Sequence, residues 1–245
     1  MTCIPLVLPD DEILVDRLGI QDRNRIAEIW LAIFEQTHAR GDVFVLQLHP
    51  ERFTFCAHAM EALLKRIAET TQRVWIADMC EIATWWRERN AFGFRLVMQP
   101  DGTCSVQCDC SDRAVVLAHN ERSIGAPFRA NYRRVPSTRF SLGTQGRKPC
   151  VGLATNGSAE LETFVQRLGF AWERSDAAES YSLFFDKHVT YSEDREVAIL
   201  SRIEQCESPL LRYGLWPDGF ESAFATSHDL DCMTLTDFVH RALGQ

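Results

Sequence analysis

Over residues 1–91, short apolar runs alternate with longer stretches whose apolar side chains recur every three or four positions. That alternation constrains the fold more than any other feature of the chain. Val43-Phe44-Val45-Leu46-Gln47-Leu48 and Val74-Trp75-Ile76-Ala77 are nearly continuous apolar runs, as expected of strands buried on both faces. Residues 4–8 read as a shorter strand that ends at Pro9. Ile26, Ile29, Trp30, Ile33 and Phe34 predict a helix over 22–38, broken by Gly41 and Asp42. Met60, Leu63, Leu64 and Ile67 predict the next helix. Asp78 with Glu81 three residues on is a capping-box pattern, opening a third helix that carries Ile82, Trp85 and Trp86. Strands that alternate with helices imply a parallel sheet with helical crossovers.

From Phe92 the pattern changes. Residues 92–98, 103–108 and 113–119 are β-prone, separated by Pro100-Asp101-Gly102 and by Ser111-Asp112, which are turn signals between antiparallel strands. Residues 133–140 and 150–154 add strands. Ser158 caps a helix with Leu161, Phe164, Val165 and Leu168, and Gly169 stops it. Residues 181–185 form a strand, and 192–206 a helix with Val197, Leu200 and Ile203 inward. The tail returns to the first style. Trp216-Pro217-Asp218-Gly219 is a turn, residues 222–227 a strand, and Thr234 opens a helix with Asp237 at the capping-box position. The expected organisation is therefore 1–91, a β-rich α+β module over 92–209, and a terminal βα unit over 210–245.

Composition narrows the function classes. The formal charge is −8 in 245 residues, without the basic surface that neutralises phosphates, so a nucleic-acid partner is not expected. No apolar run reaches the roughly 20 residues of a membrane span, and the start lacks a basic signal-peptide region. Nine cysteines, an odd number lying partly inside apolar runs, suit reduced buried thiols and a cytoplasmic location. Cys104, Cys108 and Cys110 could converge on a metal ion. The plainer reading is one face of a strand, and no second Cys-x-x-Cys half-site accompanies them.

Chemistry is best placed at strand ends. His228-Asp229-Leu230-Asp231 puts two carboxylates at the carboxyl end of a strand, where open sheets and barrels build active sites. One acid could ligate a metal and the other take a proton from water. Alternatively both are capping acids of a helix entry. His49 also follows a buried strand, and an imidazole titrates near neutrality. Asp10, Asp11 and Glu12 form an acidic cluster that fits either a solvated loop or a site. Trp85-Trp86-Arg87 could stack on sugar rings. Simple helix packing, with Arg87 and Arg89 solvated, accounts for it as well.

These motifs together resemble the polysaccharide deacetylases (carbohydrate esterase family four, the NodB-like group). Trp216 to Ala223 followed by His228-Asp229-Leu230-Asp231 looks like the family's opening motif, and Leu46-Gln47-Leu48-His49-Pro50 like its late Leu-x-Leu-His motif. Residues 4–16, and the run from Val74 through the Trp85-Trp86-Arg87 helix, look like the later half of such a domain. The resemblance implies metal-dependent removal of N- or O-acetyl groups from a carbohydrate substrate. It assigns Asp229 as base, His49 as acid and Asp231 as ligand of a divalent metal, zinc being the expected ion. The implied fold is α/β: a partial or permuted (β/α) barrel with an inserted β-rich α+β module. The family's His-x-x-x-His ligand pair is missing among the seven histidines, and the late motif precedes the opening one. Two accounts fit that order: a chain that starts inside a deacetylase domain, or a permuted one whose tail strand inserts beside the first. A non-catalytic carbohydrate-binding or interaction module that kept the fold is the alternative function.

Overall fold

The computed structural model describes residues 4–70 and 73–229. In chain order the regular elements begin α1 (Arg23–Arg40), β1 (Val43–Leu48), α2 (Phe53–Glu69), β2 (Val74–Ile76) and α3 (Met79–Arg89). Seven strands follow: β3 (Gly93–Met98), β4 (Thr103–Asp109), β5 (Val116–His119), β6 (Ala126–Arg129), β7 (Tyr132–Val135), β8 (Arg139–Gly143) and β9 (Lys148–Leu153). The remainder is α4 (Ala159–Leu168), β10 (Trp172–Arg174), β11 (Tyr181–Phe185), α5 (Glu196–Glu204), β12 (Leu210–Tyr213) and β13 (Ser222–His228). This is a mixed α/β chain with four sheets, and no closed barrel forms among the described residues. It divides into two units, Met1–Thr84 with Phe220–Gln245, and Trp85–Gly219. The expected boundaries at 91/92 and 209/210 compare with observed ones at 84/85 and 219/220. None of the described helices is long and apolar enough to cross a membrane.

The first unit is built on a parallel sheet of order β1-β13-β2. The tail strand β13 lies between the two early strands. It pairs with β1 from Val43↔Ala223 to Leu48↔His228, and with β2 from Ser222↔Val74 to Phe224↔Ile76. Phe44, Leu46 and Leu48 on one face of β1 pack with Trp30 and Phe34 of α1 and with Leu63 and Ile67 of α2. Val45 on the other face is also fully buried, as its all-apolar run predicts. Asp22 caps α1 by accepting from the backbone N–H of Asn24 and Arg25, and Gly41 ends it in the left-handed conformation at φ 81°. The Asp78–Glu81 capping box closes both ways, at 2.9 and 2.7 Å. Two expectations are corrected here. Residues 4–8 form no strand. Only the Val7 N–H reaches β1, donating to Val45 O at 2.8 Å, because Pro5 and Pro9 have no N–H to add to a ladder. And β2 is not buried on both faces, since it ends the sheet and leaves Ile76 62% exposed.

The second unit contains three sheets: antiparallel β3-β4-β8, antiparallel β12-β5-β7-β6, and parallel β10-β9-β11. The β3–β4 hairpin forms at Pro100-Asp101-Gly102 as expected, with Gly102 at φ 80°. The Ser111-Asp112 turn, by contrast, does not join paired strands. β4 partners β8, while β5 enters the other antiparallel sheet. Residues 133–140 split into β7 and β8, because Pro136 has no N–H for the ladder and the Ser137 hydroxyl accepts from the Arg139 N–H. Ser158 caps α4 through the Leu161 N–H. In α5 the inward stripe is Ile199 and Ile203, whereas Val197 is 77% exposed. Val197 lies about 120° around the helix from Ile203 and so faces solvent.

His119 on β5 is fully buried, and neither ring nitrogen has a hydrogen-bond partner among the described residues. Around it lie the Tyr132 ring at 4.9 Å, Glu204 of α5 at 3.7 Å, and Arg212 of β12. Desolvation outweighs the attraction of Glu204 and holds the imidazole pKa below its ordinary 6.5. The folded chain therefore resists a proton that the unfolded chain accepts. Stability contributed by the neutral ring is complete above about pH 6.5 and declines as the pH falls below it. The expected result is a denaturation midpoint that drops on acidification in the native chain and drops less in His119→Leu. Parallel pH curves for the two would contradict it.

Candidate active site

The carboxyl end of the parallel sheet in the first unit gathers the chemically able side chains. β1 delivers His49 one residue beyond Leu48, and Pro50 then opens a 3-10 turn, Pro50–Arg52. β13 delivers His228 opposite Leu48, and the Asp229 N–H donates to Leu48 O at 3.1 Å. Asp229 and His49 thus follow neighbouring parallel strands in register, and Asp229 is exposed. The sequence-predicted pair is brought together at one sheet end. Asp231 lies outside the described residues.

The acidic cluster at 10–12 resolves into three separate roles. Asp10 accepts from the Ile13 N–H at 2.9 Å and starts the helical turn Ile13–Arg17. Glu12 pairs with Arg17 at 2.8 Å on the surface. Asp11 turns inward and is fully buried. One of its oxygens meets His49 Nδ1 at 2.5 Å, and the other accepts the His49 backbone N–H at 2.7 Å. Both carboxylate oxygens therefore fix one residue. The bond at Nδ1 sets the ring orientation and directs Nε2 away from Asp11. Nε2 has Gln47 Nε2 at 3.5 Å. Asp11 as the partner of His49 was missed by sequence reasoning. Its only signal was an acid directly after the first apolar run.

A second ion pair braces this loop. Arg52 donates through Nε and Nη2 to Asp16 Oδ2, at 2.8 and 2.5 Å. That hydrogen bond holds the guanidinium above its ordinary pKa despite partial burial. Arg52 Nη1 is buried with no partner among the described residues. Cys56, one turn further on, is no candidate nucleophile, because burial pushes its thiol up to about 12 and keeps it protonated.

An Asp-held imidazole and an exposed carboxylate at the same sheet end can together move protons in both directions. The imidazole can protonate a leaving group, and the carboxylate can take a proton from water. Comparison with protein-family models, with curated proteins and with solved structures gives no match for the chain. The chemistry of the site therefore stands on its own geometry.

The other sequence candidates serve packing. Cys104, Val106 and Cys108 share the buried face of β4, alternating with more exposed neighbours. Burial raises the Cys104 thiol and pushes that of Cys108 up to about 12. Trp85 is buried, donates its indole N–H to Leu215 O at 2.8 Å and meets Phe92 edge-on. Trp86 meets Trp216 edge-on at 5.8 Å. Arg89, expected in solvent, is only 4% exposed, because it follows Trp85 by four residues and so shares its helix face. No group of three or more His, Cys, Asp and Glu able to hold a metal ion occurs among the described residues.

Proposed function

We propose that this chain is a polysaccharide-deacetylase-like hydrolase that acts on N- or O-acetyl groups of a carbohydrate. The observation that carries the proposal is the buried Asp11 carboxylate clamping His49 at the same sheet end as Asp229. In this reading His49 protonates the departing sugar amine or hydroxyl through Nε2, and Asp229 takes the proton of the attacking water. Asp11 positions the imidazole. The divalent ion that the family resemblance implies is not accommodated by the described donors. Asp231, the ligand that the resemblance implies, lies outside the described residues, so no step is routed through a metal. The parallel β1-β13-β2 order supports a permuted (β/α) barrel, with the tail strand inserted between early strands. The described cysteines are all free, which supports a cytoplasmic protein.

The test is acetate release by the full chain from acetylated chitooligosaccharides and from acetylated xylan. Release that is abolished by Asp229→Asn in a folded variant is the expected outcome. Carbohydrate binding without any release, unchanged in Asp229→Asn, would replace the enzyme with a non-catalytic carbohydrate-binding module.

A further inference from the structure

The second unit carries a buried cation that the proposed chemistry does not use. Arg89 ends α3, and its guanidinium donates through Nε to Gly214 O at 3.0 Å and through Nη1 to Arg167 O at 2.8 Å. Its face lies 4.9 Å from the Trp86 ring. Nη2 is buried and has no hydrogen-bond partner among the described residues. Among the described residues no carboxylate pairs with it, and Arg212 nearby adds a like charge. Burial pushes its pKa down to about 9, so the group still carries its charge at neutral pH. A cation buried without an anion is costly to the fold.

The same residue borders a cleft of about 260 Å³. Phe92, Phe94, Phe170, Trp172 and Tyr213 supply its aromatic walls. Phe94 and Tyr213 stack at 4.2 Å, which makes that wall rigid. Gly169 also borders the cleft and is required beside Arg89. Its φ is +84°, and a Cβ there would fall 2.2 Å from Arg89 Nη2. The one acid on the lining, Glu173, is already held by Lys148 at 2.5 Å and by the Tyr181 hydroxyl at 3.1 Å. The cleft is small for a ligand site, and it combines ring-shaped apolar walls with an unmatched positive charge.

We propose that this cleft binds a small carboxylate with an aromatic or similarly flat apolar body, its carboxylate pairing with Arg89 and its ring lying between the aromatic walls. Sodium benzoate is the probe, with neutral benzamide as its control, titrated calorimetrically into the full chain at constant ionic strength. Benzoate should saturate one site, with benzamide at least about tenfold weaker. Arg89→Gln should weaken benzoate by about 10- to 100-fold. Because Arg89 is buried and its replacement could unfold the unit, Gln166→Glu provides the second arm. Gln166 is exposed on the rim, so the added negative charge should leave folding intact and weaken benzoate about threefold or more. No saturable benzoate heat, equal binding of benzamide, tighter binding of inorganic phosphate, or an unchanged affinity in Gln166→Glu would each overturn the assignment.

Discussion

His49→Ala is expected to lower acetate release by about 100- to 10,000-fold, the range that a positioned general acid contributes. Asp11→Asn should come close to that loss while leaving His49 in place. An amide at position 11 keeps one acceptor oxygen for two demands. If that oxygen stays on the His49 backbone N–H, its NH₂ faces Nδ1, which must then accept. As the acid His49 must be the imidazolium, with a proton on each nitrogen, and an amide NH₂ facing Nδ1 neither accepts the Nδ1 proton nor carries the charge that stabilises the cation. Both variants are to be compared with the native chain at equal folded fraction, by circular dichroism and by denaturant midpoint. That control is necessary because both carboxylate oxygens of Asp11 are used in a fully buried site. Asp11→Ala would leave the His49 N–H and Nδ1 without their acceptor, at a cost of about 3–5 kcal/mol. A folded Asp11→Asn chain with native turnover would show that the clamp is structural only.

The second large effect concerns the core beneath the site. Trp30→Ala is expected to destabilise the first unit by about 3–5 kcal/mol, at the top of the range for core truncations. Trp30 is fully buried between α1 and the sheet, and its indole N–H donates to Pro9 O at 3.1 Å. The substitution therefore opens a cavity and also strands the carbonyl two residues before Asp11. It should shift the urea midpoint strongly and loosen the residue that holds His49. A shift equivalent to less than about 1 kcal/mol would mean that α1 is not part of the core that positions the loop.

Those two residues also illustrate what could be read from the chain. Trp30 was legible because it recurs with Ile26 and Phe34 at helical spacing, and local periodicity is decided by residues a few positions apart. The same holds for β1, for the Asp78–Glu81 capping box and for Gly169 as a helix stop. His49 and Asp229 were legible as strand-end residues. That β13 lies between β1 and β2 was not, because strand order is set by pairing across some 150 residues of chain. Nor was the sorting of Asp10, Asp11 and Glu12. Three adjacent acids look alike in sequence, and only the direction of one helical turn decides which of them is buried. Arg89 was misplaced for a related reason. Charge argues for solvent, but helical phase put it on the buried face of Trp85, and two backbone carbonyls accept its donors. Val197 shows the reverse case, an apolar residue that helical phase sets about 120° from Ile203 and in solvent.

The claim at the centre of this account is that Asp11 acts on the reaction through His49. Acetate release measured for the native chain, Asp11→Asn, His49→Ala and the double variant tests it most directly. If the two residues work as one unit, the double variant is no slower than His49→Ala alone. If the two losses instead multiply, Asp11 and His49 act independently and the dyad is not the catalytic unit.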